Sequence, residues 1–106
     1  MALFPAGADW AAARSAAGMA TNDHEDMHAG ELETSILLHA RPDVVQDGYQ
    51  TADHLANDRR ALLTQGMQFY TQSGVIGSPS QASAAKGKAA LISLVESFAQ
   101  CLANLT

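Results

Sequence analysis

The sequence predicts an α/β chain with more helix than strand, and three observations carry that expectation. Apolar residues recur at helical spacing from Glu31 to Ala40 and again from Ala84 to Ala103. Two short β-like runs, Leu3-Phe4 and residues 67–70, offer one or two strands at most. Between the periodic segments lie turn-forming clusters, of which Ser73-Gly74-Val75-Ile76-Gly77-Ser78-Pro79-Ser80 is the densest.

Each element follows from local chemistry. Met1-Ala2-Leu3-Phe4-Pro5 reads as a strand end closed by proline and Gly7. Asp9 is placed to cap a helix over Trp10 to Ala17, where alanines and Arg14 are strong helix formers and Gly18 is a natural stop. The second helix carries Leu32, Ile36, Leu37 and Ala40 at helical spacing, and Pro42 ends it by pushing the preceding residue out of helical geometry. Residues 43–64 have no clean period and read as a surface excursion with one short helix near 53–58. Val75 and Ile76 are the buried aliphatics of the turn-rich loop. Ser83 caps the last helix, whose stripe of Leu91, Leu94, Val95, Phe98, Cys101, Leu102 and Leu105 reads as core. Lys86, Lys88, Glu96 and Gln100 fall on its other side.

Composition narrows the class. A chain of 106 residues supports one domain. It is 47% hydrophobic, but much of that is alanine and only 6% is aromatic, so the core is thin for its length. Six Lys and Arg against eleven Asp and Glu argue against a nucleic-acid partner. No apolar run approaches the roughly 20 residues that span a bilayer, and no basic region precedes the apolar start, so neither a membrane partner nor a signal peptide is expected. Cys101 is the single cysteine, which fits a reducing, cytoplasmic setting.

The chemistry is concentrated between Asn22 and Ser35. His24-Glu25-Asp26-Met27-His28 spells H-E-x-x-H, the zinc-protease pattern, in which one helix face carries two imidazoles and a glutamate activates water. The neighbours Thr21-Asn22-Asp23 and Gly30 supply little to anchor such a helix. A second pattern is His28-Ala29-Gly30 followed by Glu33-Thr34-Ser35. Five residues apart on one helix, His28 and Glu33 would point about 140° apart. They converge only if His28 sits in the loop before the helix and Glu33 in its first turns, with Gly30 permitting the sharp entry. A competing role for Glu33 is to cap backbone amides together with Thr34 and Ser35. His39 and His54 have no partner pattern and read as surface residues, as does the Arg59-Arg60 pair.

The block His28-Ala29-Gly30-x-x-Glu33-Thr34-Ser35 closely resembles that of the creatininase family of metal-dependent amidohydrolases. The likeness continues through Ile36-Leu37-Leu38 and Pro42-Asp43-Val44-Val45, then through residues 73–79 and Ala85-Lys86-Gly87-Lys88. The resemblance implies the C-terminal portion of a three-layer α/β/α domain, hydrolysing a C–N bond of an amide or cyclic amide when complete. It implies His28 as a catalytic residue, Glu33 as a metal ligand, and His24, Glu25 and Asp26 at a substrate pocket. It also implies a divalent metal (zinc, manganese or iron), a small-molecule amide substrate, and a homo-oligomer, often a hexamer.

Family members carry a first half with a glutamate–histidine pair, an aspartate and an N-G-H turn that hold metal, and none of these occurs here. Residues 1–106 are therefore expected to be the C-terminal half of such a domain, inactive alone and weak in metal binding. Creatininases proper have tryptophan and glutamate where this chain has His24 and Met27, which points away from creatinine itself. Asp26-Met27-His28-Ala29-Gly30 is nearer the form of the deformylase and peptidase branches. A non-catalytic assembly remnant is the alternative from a different functional class.

Overall fold

Glycine at position 87 sets how the helices of this chain meet. In the computed structural model, which describes residues 1–105, four α-helices run in the order α1 (Gly7–Ala17), α2 (Glu31–Ala40), α3 (Leu62–Gln65) and α4 (Ala84–Asn104). Both α1 and α2 pack on α4. A Cβ on Gly87 would lie 1.9 Å from the Ser35 carbonyl oxygen, so the α2 and α4 backbones touch where only hydrogen fits. Short 3₁₀ turns at Pro42–Val44, Tyr49–Thr51, Met67–Phe69 and Pro79–Gln81 carry the chain between helices. The chain is helix-rich, as its periodicity predicts.

The helix limits follow local rules. Gly18 ends α1 in the left-handed region at φ 64°. Asp9 serves α1 from inside its first turn: its carboxylate accepts the Ala6 N–H at 2.8 Å, while Ala6 is the cap position. Arg41, forced extended by Pro42, closes α2. The Ser83 hydroxyl accepts the Lys86 N–H at 3.1 Å and starts α4 as expected.

The strands expected from sequence do not form. Leu3 is exposed outside any element, and Phe4 packs edge-on against Phe98 with ring centroids 5.3 Å apart. Residues 67–69 form the Met67–Phe69 turn, which Tyr70 caps and where Phe69 is largely exposed. Extended pairing among the described residues is limited to two isolated antiparallel bridges, His28 with Ile76 and His54 with Gly77. The second bridge replaces the short helix expected at 53–58, because the His54 backbone exchanges hydrogen bonds with Gly77 instead.

The core is small: Ala13, Leu32 and Ala90 are buried, with Ala17, Met19, Ile36 and Leu94 packed around them. Of the leucine stripe of α4, Leu94 packs on that core and most of the rest does not. The buried face of α4 is Gly87, Ala90 and Ser93, small residues three apart that let α1 and α2 approach closely. Val95 (68%), Phe98 (49%), Leu102 (52%) and Leu105 (58%) remain exposed, and Cys101 is half-buried. Among the described residues no helix is long and apolar enough to cross a membrane.

A buried ion pair ties α2 to α4. The fully buried Glu31 carboxylate receives Lys86 Nζ at 2.6 Å, the Ala20 and Thr21 amides at 3.0 and 2.8 Å, and the Thr21 hydroxyl at 2.8 Å. Burial works to raise its pKa, but the Lys86 ammonium and these donors together hold it below the ordinary 4.5. A depressed carboxylate contributes stability above its unfolded pKa and loses it as pH falls through the folded one. Lys86→Met is expected to cost about 3 kcal/mol at neutral pH. In urea titrations the gap to the parent chain should close below pH 4.5, the ordinary value. Gly87→Ala should also lower the thermal midpoint sharply, by an overpacking cost of about 2 kcal/mol or more. An unchanged midpoint would contradict the tight α2–α4 crossing.

Candidate active-site loop

The loop from Asn22 to Gly30 is built around one carboxylate. Asp26 is buried, its Oδ1 accepting the Glu31 N–H at 2.6 Å and its Oδ2 the Leu32 N–H at 3.1 Å, so it caps α2 from across the turn. Arg14 of α1 places Nη1 2.9 Å from Oδ2 as a charge contact and Nη2 3.4 Å from the Asp26 carbonyl. Gly30 and Gly77 close over it: a Cβ on Gly30 would lie 1.7 Å from Asp26 Oδ1, and one on Gly77 2.6 Å from the same atom. Asp26, expected at a substrate pocket, caps α2 and also reaches the wall of a neighbouring cleft.

Met27 and His28 then pair with the turn-rich segment. Their amides donate to the Ile76 carbonyl at 2.8 and 2.9 Å, and the Ile76 N–H returns to the His28 carbonyl at 3.0 Å. The His28 side chain is exposed, with Nδ1 2.7 Å from the Gly74 carbonyl oxygen. A carbonyl only accepts, so Nδ1 carries the proton and the neutral ring keeps its lone pair on Nε2. This is the arrangement a general base or a ligand nitrogen requires.

Ala29 turns the chain into α2 at φ 53°, a left-handed conformation that costs a non-glycine residue roughly 1 kcal/mol. The Glu33 carboxylate accepts the Ala29 N–H through Oε2, and the Thr34 hydroxyl lies 3.4 Å from the Ala29 carbonyl. Glu33, expected as a metal ligand, has its carboxylate turned onto this amide. Among the described residues no group of three or more His, Cys, Asp or Glu gathers where an ion could sit. Catalytic zinc sites take three protein ligands, and the described residues bring no such set together.

The H-E-x-x-H helix does not form. Residues 22–28 are turn and bridge, and His24 and His28 are held by different partners. His24 Nε2 donates to the Asn57 carbonyl at 2.6 Å, while Nδ1 faces Arg59 Nη2 at 3.3 Å, so both ring nitrogens are engaged. Arg59 also donates to the His24 carbonyl at 2.9 Å, which makes it a loop strut rather than a solvated charge. Glu25 closes a reciprocal pair with Asn22: its carboxylate accepts the Asn22 N–H at 3.0 Å. His54, read as partnerless, donates from Nε2 to the Tyr70 carbonyl at 2.6 Å.

Two clefts border the loop. One of about 310 Å³ takes Ala29, Thr34, Ser73 and Val75 into its wall and extends under Val45 and Tyr49. The other, about 270 Å³, is lined by Trp10, Asp23, Asp26, Met27, Leu32 and Glu33. His24 and Glu25 line neither, and sequence reasoning missed Trp10 and Tyr49, whose positions only the fold brings near the loop.

Comparison with known proteins agrees with this picture. Residues 1–102 match the family model of creatininase, described as creatinine amidohydrolase. Over 102 residues the chain is 33% identical to the mycofactocin precursor peptide peptidase of Mycobacterium ulcerans (strain Agy99), covering 93% of this chain and 38% of that protein. The chain therefore spans well under half the length of that relative. No solved structure matches it. With a motif-bearing loop in place and a match across nearly its whole length, the chain belongs to the creatininase family.

Proposed function

We propose that this chain is the C-terminal half of a three-layer α/β/α amidohydrolase domain and supplies its acid–base imidazole. The observation that carries the reading is the Nδ1 bond to Gly74, which leaves Nε2 of an exposed His28 open. In this reading Nε2 takes a proton from water as the water oxygen bonds to the amide carbonyl carbon. The same nitrogen then delivers that proton to the leaving nitrogen as the C–N bond breaks. The relative's printed name makes a peptide bond one candidate amide, and the clefts beside Ala29 and Met27 give room for groups flanking it.

The divalent metal implied by the family, whether zinc, manganese or iron, belongs in this proposal to residues outside the chain. The exposed α4 face of Val95, Phe98, Leu102 and Leu105 supports burial under a further layer of the same domain. Assembly into a homo-oligomer and a cytoplasmic setting complete the proposal.

The test joins this chain to the portion of the Mycobacterium ulcerans relative that lies outside the match. Amine release from a panel of small amides and peptides is then followed with zinc or manganese added. His28→Ala is expected to lower kcat by about 10²–10⁴-fold with little change in KM; an unchanged rate would remove His28 from the chemistry. For the chain alone, calorimetric titration with zinc at neutral pH is expected to give a weak isotherm that His24→Ala leaves unaltered. A stoichiometric submicromolar site lost in His24→Ala would revive the zinc-protease reading instead.

A further inference from the structure

We infer that Glu33 and Thr34 are positioning residues, which aim the His28 imidazole by clamping Ala29 in its left-handed turn. The inference rests on the acid–base reading of His28 and adds how the chain holds that ring. The peptide between His28 and Ala29 is gripped on both sides. Its carbonyl accepts the Ile76 N–H at 3.0 Å, and its N–H is taken by the Glu33 carboxylate. The following carbonyl, that of Ala29, faces the Thr34 hydroxyl at 3.4 Å.

These contacts have a task, because Ala29 at φ 53° occupies a region that L side chains avoid. Without them the backbone would relax, and the plane of the 28–29 peptide would rotate about the His28 Cα. The imidazole hangs from that Cα and reaches Gly74 O at only 2.7 Å, so a small rotation breaks the bond. Gly74 lies two residues from Ile76, so ring and backbone of His28 are read by one segment. Thr34 is buried and Glu33 exposed, yet both turn back toward the same residue. Glu33 therefore works through a backbone amide, and an uncharged acceptor of the same length can replace it.

The test reads the imidazole directly. In long-range proton–nitrogen spectra of the histidine-labelled chain at mildly alkaline pH, His28 is expected as the Nδ1–H tautomer. Glu33→Ala should shift it toward the mixture shown by a free imidazole. Glu33→Gln should keep the parent signature, because the amide oxygen accepts the same N–H. Adding Ala29→Gly to Glu33→Ala should restore the signature in part, since glycine enters the left-handed turn without the strain that alanine carries there. Retention of the signature in Glu33→Ala overturns the proposal. So does its loss in Glu33→Gln, which would mean that the charge itself is needed, as for a metal ligand. Failure of Ala29→Gly to rescue would reduce Glu33 to a general stabiliser of the helix start and overturn it equally. Amide hydrolysis enters none of these readouts, so a failed activity assay and a failed clamp are separate outcomes.

Discussion

The buried carboxylate of Asp26 is the interaction on which the rest of this chain depends. It binds three parts of the structure at once: Arg14 of α1, the first amides of α2, and the backbone crossing of Gly30 and Gly77. An unpaired carboxylate in that position would be prohibitive to bury, and Arg14, itself largely enclosed, supplies the opposing charge. The free amides at the start of α2 supply the remaining donors. The His28 loop is held by these ionic and backbone hydrogen bonds and by its pairing with the fully buried Ile76.

A second ionic contact does for α4 what Asp26 does for α2. Glu31 and Lys86 sit at the same crossing as Gly87, where the backbones of the two helices touch. The small face of α4 makes that approach possible, and its large face of Val95, Phe98 and Leu102 is left outward. The two faces answer different demands. Backbone contact needs small residues, while burial under a layer needs large ones to recover solvent-exposed apolar area. Reading the large stripe as this chain's own core followed the usual rule of hydrophobic periodicity. It failed for most of the stripe, Leu94 excepted, because periodicity reports which face is apolar and not which neighbour covers it.

Much of the helical framework was legible in the residues. Pro42, Gly18 and Ser83 are local signals with local mechanisms, and the helices end or begin at them. The α2 limits, Glu31–Ala40, are those its pattern predicts. The irregular half was not legible, because its order comes from contacts distant in sequence. Arg59 reaches His24 across 35 positions, and His54 pairs with Gly77 across 23. Neither leaves a periodic trace. The β-like runs at Leu3 and 67–70 misled for the same reason: a strand needs an adjacent edge, and composition alone does not provide one. In the site, the enclosed role of Asp26 left no signal beyond its nearness to α2.

The block from His28 to Ser35 makes sense residue by residue once these contacts are in view. His28 pairs with Ile76 and Gly74, and Ala29 makes the turn. Gly30 is glycine because Asp26 occupies the space of its Cβ. Glu31 meets Lys86, and Leu32 enters the core. Glu33 and Thr34 both reach back to Ala29, and the Ser35 hydroxyl accepts the Ser83 N–H at 3.1 Å, next to the start of α4. Seven of these eight residues hold the loop or the helix crossing, and one presents a free nitrogen. A motif of this kind reads like a ligand set because it is rich in His, Glu, Thr and Ser. Its polar groups in this structure meet mostly backbone partners. The density of polar residues therefore marks how firmly the ring of His28 is held against the Gly74 carbonyl.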